Sequence, residues 1–179
     1  MLWRWLGARH LLLGVLLGII SAGLVAGAIG FAVIVFGLYD AAATSPHSLP
    51  VAWVVHTTMI RSVRLRAHAM GFAPRVTAAD VALGARLYGA RCQVCHGGPG
   101  IARAQWANGL NPNPPYLLDA AQRWSPQEMR LIVGEGVKMT AMPAWRFSMN
   151  DRQLWALVAF LRALPKLNRA QYLAATQGR

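Results

Sequence analysis

Five consecutive residues, Cys92-Gln93-Val94-Cys95-His96, carry the most specific chemistry in this chain. Two thiols three positions apart on one helical turn can each add to a vinyl group of the same porphyrin. The next residue then sets an imidazole beneath the iron, and C-x-x-C-H is the attachment pattern of a c-type haem. Two other chemistries share the C-x-x-C core. A structural zinc site needs two further ligands at ordered spacing, and the chain has 2 cysteines in all. A dithiol redox pair belongs after a strand in a βαβ pattern, which this sequence lacks.

An imidazole fills one axial position of an iron and leaves the opposite one open. Downstream stands Gly136-Val137-Lys138-Met139-Thr140-Ala141-Met142-Pro143-Ala144-Trp145. A thioether is a soft ligand that favours ferrous iron and raises the potential relative to a second imidazole. Met142 is preferred over Met139. Pro143 stiffens the chain after it and keeps it extended, and Trp145 can pack under a porphyrin edge. The ligand set expected is therefore Cys92 and Cys95 for covalent haem c, with His96 and Met142 on the iron. His10, His47, His56 and His68 read as surface histidines, and with no second C-x-x-C-H there is no second covalent haem.

These residues need a frame, and local signals outline a helical one. Thr77 or Asp80 can cap a helix running to about Cys92, with Val81, Gly84, Leu87 and Tyr88 on one face. Ser125-Pro126-Gln127-Glu128 is a capping box with proline at the first helical position, opening a helix to about Val133. Ser148-Met149-Asn150-Asp151 opens a last helix with Leu154, Trp155, Leu157, Val158 and Leu161 as its apolar face, ended by Pro165. Between 97 and 124 the chain reads as a loop, with Pro99, Pro112, Pro114 and Pro115. A loop of that length needs something to pack against, and a haem supplies it.

From about 76 to 164 the chain resembles a class I monohaem cytochrome c domain. The residues that carry the likeness are Gly84-Ala85-Arg86-Leu87-Tyr88, Cys92-Gln93-Val94-Cys95-His96-Gly97, Ala141-Met142-Pro143-Ala144 and Leu154-Trp155-Ala156-Leu157-Val158-Ala159-Phe160-Leu161. With the leading apolar segment, the whole resembles a membrane-tethered bacterial cytochrome c. The resemblance implies an all-α fold around one haem, electron transfer at an exposed porphyrin edge, and a first-to-last helix contact at Gly84. It also implies a proline carbonyl that accepts from the proximal imidazole Nδ1, here Pro115 or Pro99. Trp106, Tyr116, Trp124 and Arg103 are candidates to line the haem or hold its propionates, and each is equally open to an ordinary packing or surface role.

From Leu11 to Tyr39 there is no charged residue. Residues 11–38 would make a helix of ~42 Å, longer than the ~30 Å hydrocarbon core, so it can span with tilt. Arg4, Arg9 and His10 precede it, with Trp3 and Trp5 as interfacial anchors, which puts the short tail in the cytoplasm. Arg61, Arg64 and Arg66 oppose that orientation from beyond the range over which the rule acts. Ala41-Ala42-Ala43 offers a signal-peptide cleavage site, but the apolar run is too long for a signal core. Gly14, Gly18, Ala22, Ala26 and Gly30 recur every four positions, with Gly23 and Gly27 beside them. Such a stripe reads either as a docking face for a second membrane helix or as ordinary membrane-helix composition.

The expected organisation is a tail and anchor over 1–39, a basic amphipathic connector over 40–75 and a haem domain over 76–179. In the connector, Pro50 suits a first helical position, and Val51, Val54, Val55, Met59 and Val63 repeat at helical spacing to an end near 71–74. That helix can lie on an anionic membrane or a subunit, or serve as a solvated spacer.

The chain has 179 residues, 18 Lys+Arg against 6 Asp+Glu and a formal charge of +12. Its 55% hydrophobic content excludes a disordered chain, and its 2 cysteines exclude a disulfide-stapled mini-domain. With haem placed outside the cytoplasm, an acidic redox partner fits this charge better than nucleic acid. No carboxylate pair, triad or phosphate loop offers separate catalysis. The expected protein is thus an inner-membrane, periplasm-facing monohaem electron carrier, not an enzyme by itself. It works as a subunit of a dehydrogenase or terminal oxidase complex, docked through the small-residue face. The alternatives are a freely diffusing tethered shuttle, or a haem sensor in which Met142 leaves the iron.

Overall fold

The computed structural model describes residues 2–178, and side chains from Arg9 to Gly178. The anchoring roles read for Trp3, Arg4 and Trp5 lie outside the described side chains. The described residues are helical, and no strand occurs among them beyond an isolated Gly98–Ile101 bridge. Contacts divide the chain into two compact units, Met1–Ser45 and Pro46–Arg179.

The first unit is one helix, α1 (Leu2–Val35), with 27 residues from Arg9 apolar enough to cross a membrane at a mean hydropathy of 2.4. It stops three residues before the uncharged run reaches Leu38. Gly37 takes a left-handed φ of 61°, and the Leu38 amide turns back to the Val33 carbonyl at 3.0 Å. That turn satisfies end carbonyls that the next helical residues would have bonded.

The second unit begins with α2 (Leu49–His68), which has proline in its first turn as expected. Its apolar residues do not share one face. Met59, Val63 and Ala67 are at least partly covered, whereas Trp53, Val54 and Leu65 are exposed. The ion pairs Arg64–Glu128 at 3.8 Å and Arg66–Glu135 at 3.7 Å flank the side of the helix that faces α6.

Next come α3 (Ala78–Arg91) and α4 (Gln93–His96), which meet at Cys92. Thr77 caps α3, and Asp80 is the third-position partner that reaches back to the Thr77 amide. The long loop holds one short 3₁₀ turn over Gln105–Gly109 and then α5 (Ala120–Arg123). The capping box at Ser125 and Glu128 opens α6 (Pro126–Glu135) as expected.

The last expected helix, α7 (Asp151–Ala163), starts later than the Ser148 reading. Asn150 caps it, with Gln153 as the reciprocal partner. Ser148 is the wrong cap because it closes the Trp145–Phe147 turn, where its amide donates to Trp145 O at 3.0 Å. Beyond the Leu164–Lys166 turn lies α8 (Arg169–Gln177), which the sequence reading omitted. Its signal was present, because Asn168 and Gln171 form another capping box.

The core lies where α3, α7 and α8 meet. α3 crosses α7 most closely at Gly84, where a Cβ would strike the Ala156 carbonyl and stand 2.9 Å from the Phe160 Cβ. Tyr88, Phe160 and Tyr172 are fully buried there, with ring centroids 5.3–6.4 Å apart. Burial of three aromatic rings, with Leu154, Leu157 and Leu164, supplies the apolar stabilisation of this unit.

Candidate haem crevice

An apolar crevice opens beside that core. It is lined by Tyr88 from α3, Cys92 and His96 around α4, Leu117 from the loop, Val133 from α6, Met142, and Leu157 and Leu161 from α7. Three of the four residues singled out by chemistry, Cys92, His96 and Met142, share this lining. Cys95 stands one turn along α4 from Cys92, its amide 3.1 Å from the Cys92 carbonyl.

The turn that carries the motif is clamped from below. The Tyr88 hydroxyl donates to the Gly97 carbonyl at 2.8 Å. The Tyr172 hydroxyl donates to Gln93 Oε1 at 2.7 Å, so α8 holds the second residue of the motif. Burial pushes both tyrosines up, well above the ordinary phenol value, so each stays a donor. The Ala104 amide adds a 2.9 Å bond to the Val94 carbonyl.

His96 Nδ1 lies 2.8 Å from the Pro115 carbonyl. A carbonyl can only accept, so Nδ1 carries the proton and Nε2 keeps its lone pair for a metal. The partner is thus Pro115 rather than Pro99. Burial holds the imidazole below the usual histidine range against the opposing pull of the Pro115 bond, with the Arg103 charge a smaller cause. The neutral, ligating form is the one this setting favours. Burial also pushes the Cys92 thiol up to about 12, with Cys95 adding to the shift. A thiol kept protonated in an apolar wall is a poor metal ligand and a good match to an apolar ring edge.

Met142 arrives on a loop with no helix of its own. The Thr140 hydroxyl donates to the Val137 carbonyl at 2.7 Å, and Thr140 Oγ1 accepts from the Met142 amide at 3.0 Å. The Val137 amide closes the loop on the Met142 carbonyl at 3.2 Å. Gly136, at φ 69°, lets the chain fold back, since a Cβ there would sit 2.7 Å from that carbonyl. Met142 is half-buried in the crevice wall, whereas Met139 is 72% exposed.

The secondary candidates stand further off. Trp106 and Tyr116 are exposed, Trp124 and Trp145 pack against the core, and none of them lines the crevice. Arg103 stacks over the Tyr116 ring at 4.2 Å and buries its Nε without a partner. Among the described residues no three His, Cys, Asp or Glu side chains gather to hold a metal ion. One imidazole, one thioether, two thiols and an apolar wall therefore suit an iron porphyrin and suit zinc poorly. Sequence reasoning missed Tyr88 and Tyr172 as clamps, for want of any local sign of where their hydroxyls reach.

Residues 79–161, from α3 to α7, match the family model described as cytochrome C oxidase, cbb3-type, subunit III. No protein of curated function matches the chain.

Proposed function

We propose, from the premise that residues 79–161 are a c-type cytochrome domain, that this chain carries single electrons through one haem c bound covalently to Cys92 and Cys95. His96 and Met142 take the two axial positions. The observation that carries this reading is the bond from His96 Nδ1 to Pro115, which leaves Nε2 as the free ligand atom in the crevice that Met142 also lines. Bound there, the haem iron supplies one-electron exchange between ferrous and ferric states.

The protein's own residues supply the rest. Pro115 fixes the tautomer and orientation of His96. Thr140 and Val137 hold the Met142 loop. Leu117, Val133, Leu157 and Leu161 give the crevice an apolar wall that would keep water from a bound haem. His96 and Met142 would both hold the haem iron, which would leave a substrate no place on it and make the chain a carrier and not a catalyst by itself.

The second half of the reading concerns place. α1 is a membrane anchor, with the domain on the periplasmic side of the inner membrane and the basic surface turned to an acidic redox partner. A stable subunit in a larger respiratory complex fits better than a free shuttle. The matched family is described as an oxidase subunit. Gly14, Gly18, Ala22, Ala26 and Gly30 also recur every four positions along α1, a spacing at which a second helix backbone can come close.

A pyridine haemochrome assay checks the haem and its covalent attachment. A spectrum typical of one covalent haem is expected, and colourless protein overturns the reading. A reduced spectrum unchanged by carbon monoxide rejects the sensor alternative. Solubilisation in mild detergent followed by size analysis separates subunit from shuttle, since a shuttle elutes alone.

A further inference from the structure

α2 is docked on α6, yet it leaves a large mixed surface uncovered. Leu65 is 75% exposed and Val54 52%, with Arg61 on the same outward side, and Phe72, just past the end of the helix, is 101% exposed. On a helical wheel Val54, Arg61, Leu65 and His68 fall within about 60° of one another, opposite Val63. Val63 and Ala67 mark the covered side. Val54 and Leu65 are thus not leftovers of the α2–α6 contact; they point away from it, whereas Trp53 lies on the flank beside Ala67.

The charge on this surface has one sign. No acidic residue occurs between Asp40 and Asp80, while Arg61, Arg64, Arg66 and Arg75 do. Arg64 and Arg66 keep 59% and 53% of their side chains exposed even while paired to α6. Val54, Leu65 and Arg61 on the outward side of α2, with Phe72 just past its end, suit a bilayer interface, with apolar side chains in the acyl boundary and guanidinium groups among anionic headgroups. The 13 residues between Val35 and Leu49 span at most ~45 Å when fully extended. A bilayer surface is within reach of α2 whatever course they take.

We propose that the outward face of α2, with Phe72, binds an anionic phospholipid surface. This rests on the reading of α1 as a membrane anchor and not on the haem. Its consequence is orientation. α2 is fixed to α6, and α6 carries Val133 of the crevice, so lipid contact at α2 sets the attitude of the crevice to the membrane and removes the swing of a free tether.

The test uses full-length protein in nanodiscs of phosphatidylcholine alone or mixed with phosphatidylglycerol, with brominated acyl chains. Leu65→Cys carries an environment-sensitive fluorophore, Arg162→Cys on the exposed side of α7 is the reference, and unsubstituted protein gives the labelling background. The fluorophore at 65 should shift to the blue and be quenched in the anionic discs, and the one at 162 should not. High salt and Arg61→Glu should each weaken the effect at 65. Val54→Cys gives the same readout should Leu65→Cys fail to accumulate. Equal exposure at 65 and 162 in both lipids overturns the proposal. So does shielding of 65 in native membranes but in neither disc, which would assign the face to a protein subunit. Protein that elutes apart from the discs overturns the anchor reading, and the proposal with it.

Discussion

The turn bearing Cys92, Cys95 and His96 and the loop bearing Met142 line one crevice, but they are held by different kinds of bond. The turn is tied to distant parts of the unit: Tyr88 to Gly97, Tyr172 to Gln93, and Pro115 to His96 across 19 residues of sequence. The Met142 loop is closed mainly on itself, by bonds spanning two to five residues among Val137, Thr140 and Met142. Bonds into a core open only when the core opens, whereas bonds within a loop open with the loop. The histidine side is therefore the stable half of the site, and the methionine side is where local opening starts.

The largest effect expected is on the frame that both halves share. Gly84→Val forces α3 away from α7 and should cost ~3 kcal/mol, read as loss of the cooperative thermal transition or of folded protein. A mild effect would mean that the α3–α7 crossing does not carry the site.

Next is Met142→Ala, which should abolish the near-infrared sulfur-to-iron absorption and lower the midpoint potential. The thioethers should keep the haem attached. Retention of that band would move the ligand to another side chain.

Two smaller substitutions sharpen the contrast between the halves. Tyr88→Phe leaves the Gly97 carbonyl without its donor and should cost ~1–2 kcal/mol, lowering the melting temperature by several degrees. Thr140→Val removes both of its bonds in the Met142 loop. It should barely move the melting temperature while speeding displacement of Met142 by added imidazole. If Thr140→Val lowered the melting temperature as much as Tyr88→Phe, the two halves would open together and the contrast would fail.

The smallest effect concerns acid. The Thr77 hydroxyl, the Thr77 amide and Arg152 hold the Asp80 carboxyl below the usual carboxylate range. A carboxylate lowered in the folded state stabilises above its ordinary value and loses that contribution as pH falls through its folded value. Asp80→Asn should therefore flatten the loss of stability as pH falls below the ordinary carboxylate range in thermal melts. An unchanged acid limb would remove Asp80 from the helix cap.

Much of this molecule was legible because its signals are local. The motif at 92–96 is contiguous, so its chemistry needs no knowledge of the fold. Capping boxes obey a three-residue rule, which placed the start of α6, and which would have decided for Thr77 over Asp80 at α3 and revealed α8 through Asn168 and Gln171. The same rule misled at Ser148, because the turn over Trp145–Phe147 had already engaged that residue. Periodicity found α2 as a helix but not its rotation, since Met59 and Val54 have similar apolar character and only the packing on α6 separates them.

The amino-acid sequence by itself determined the C-x-x-C-H motif at 92–96, the apolar span, the basic composition and most of the helices. The three-dimensional fold alone decided that Pro115 and not Pro99 receives the His96 proton, that Met142 turns into the crevice while Met139 turns out, and that Tyr172 reaches across 79 residues to Gln93. The reason is physical. A helix cap or a tethering motif is settled by neighbours within one turn, whereas a bond across a long loop depends on the path of every residue between its ends.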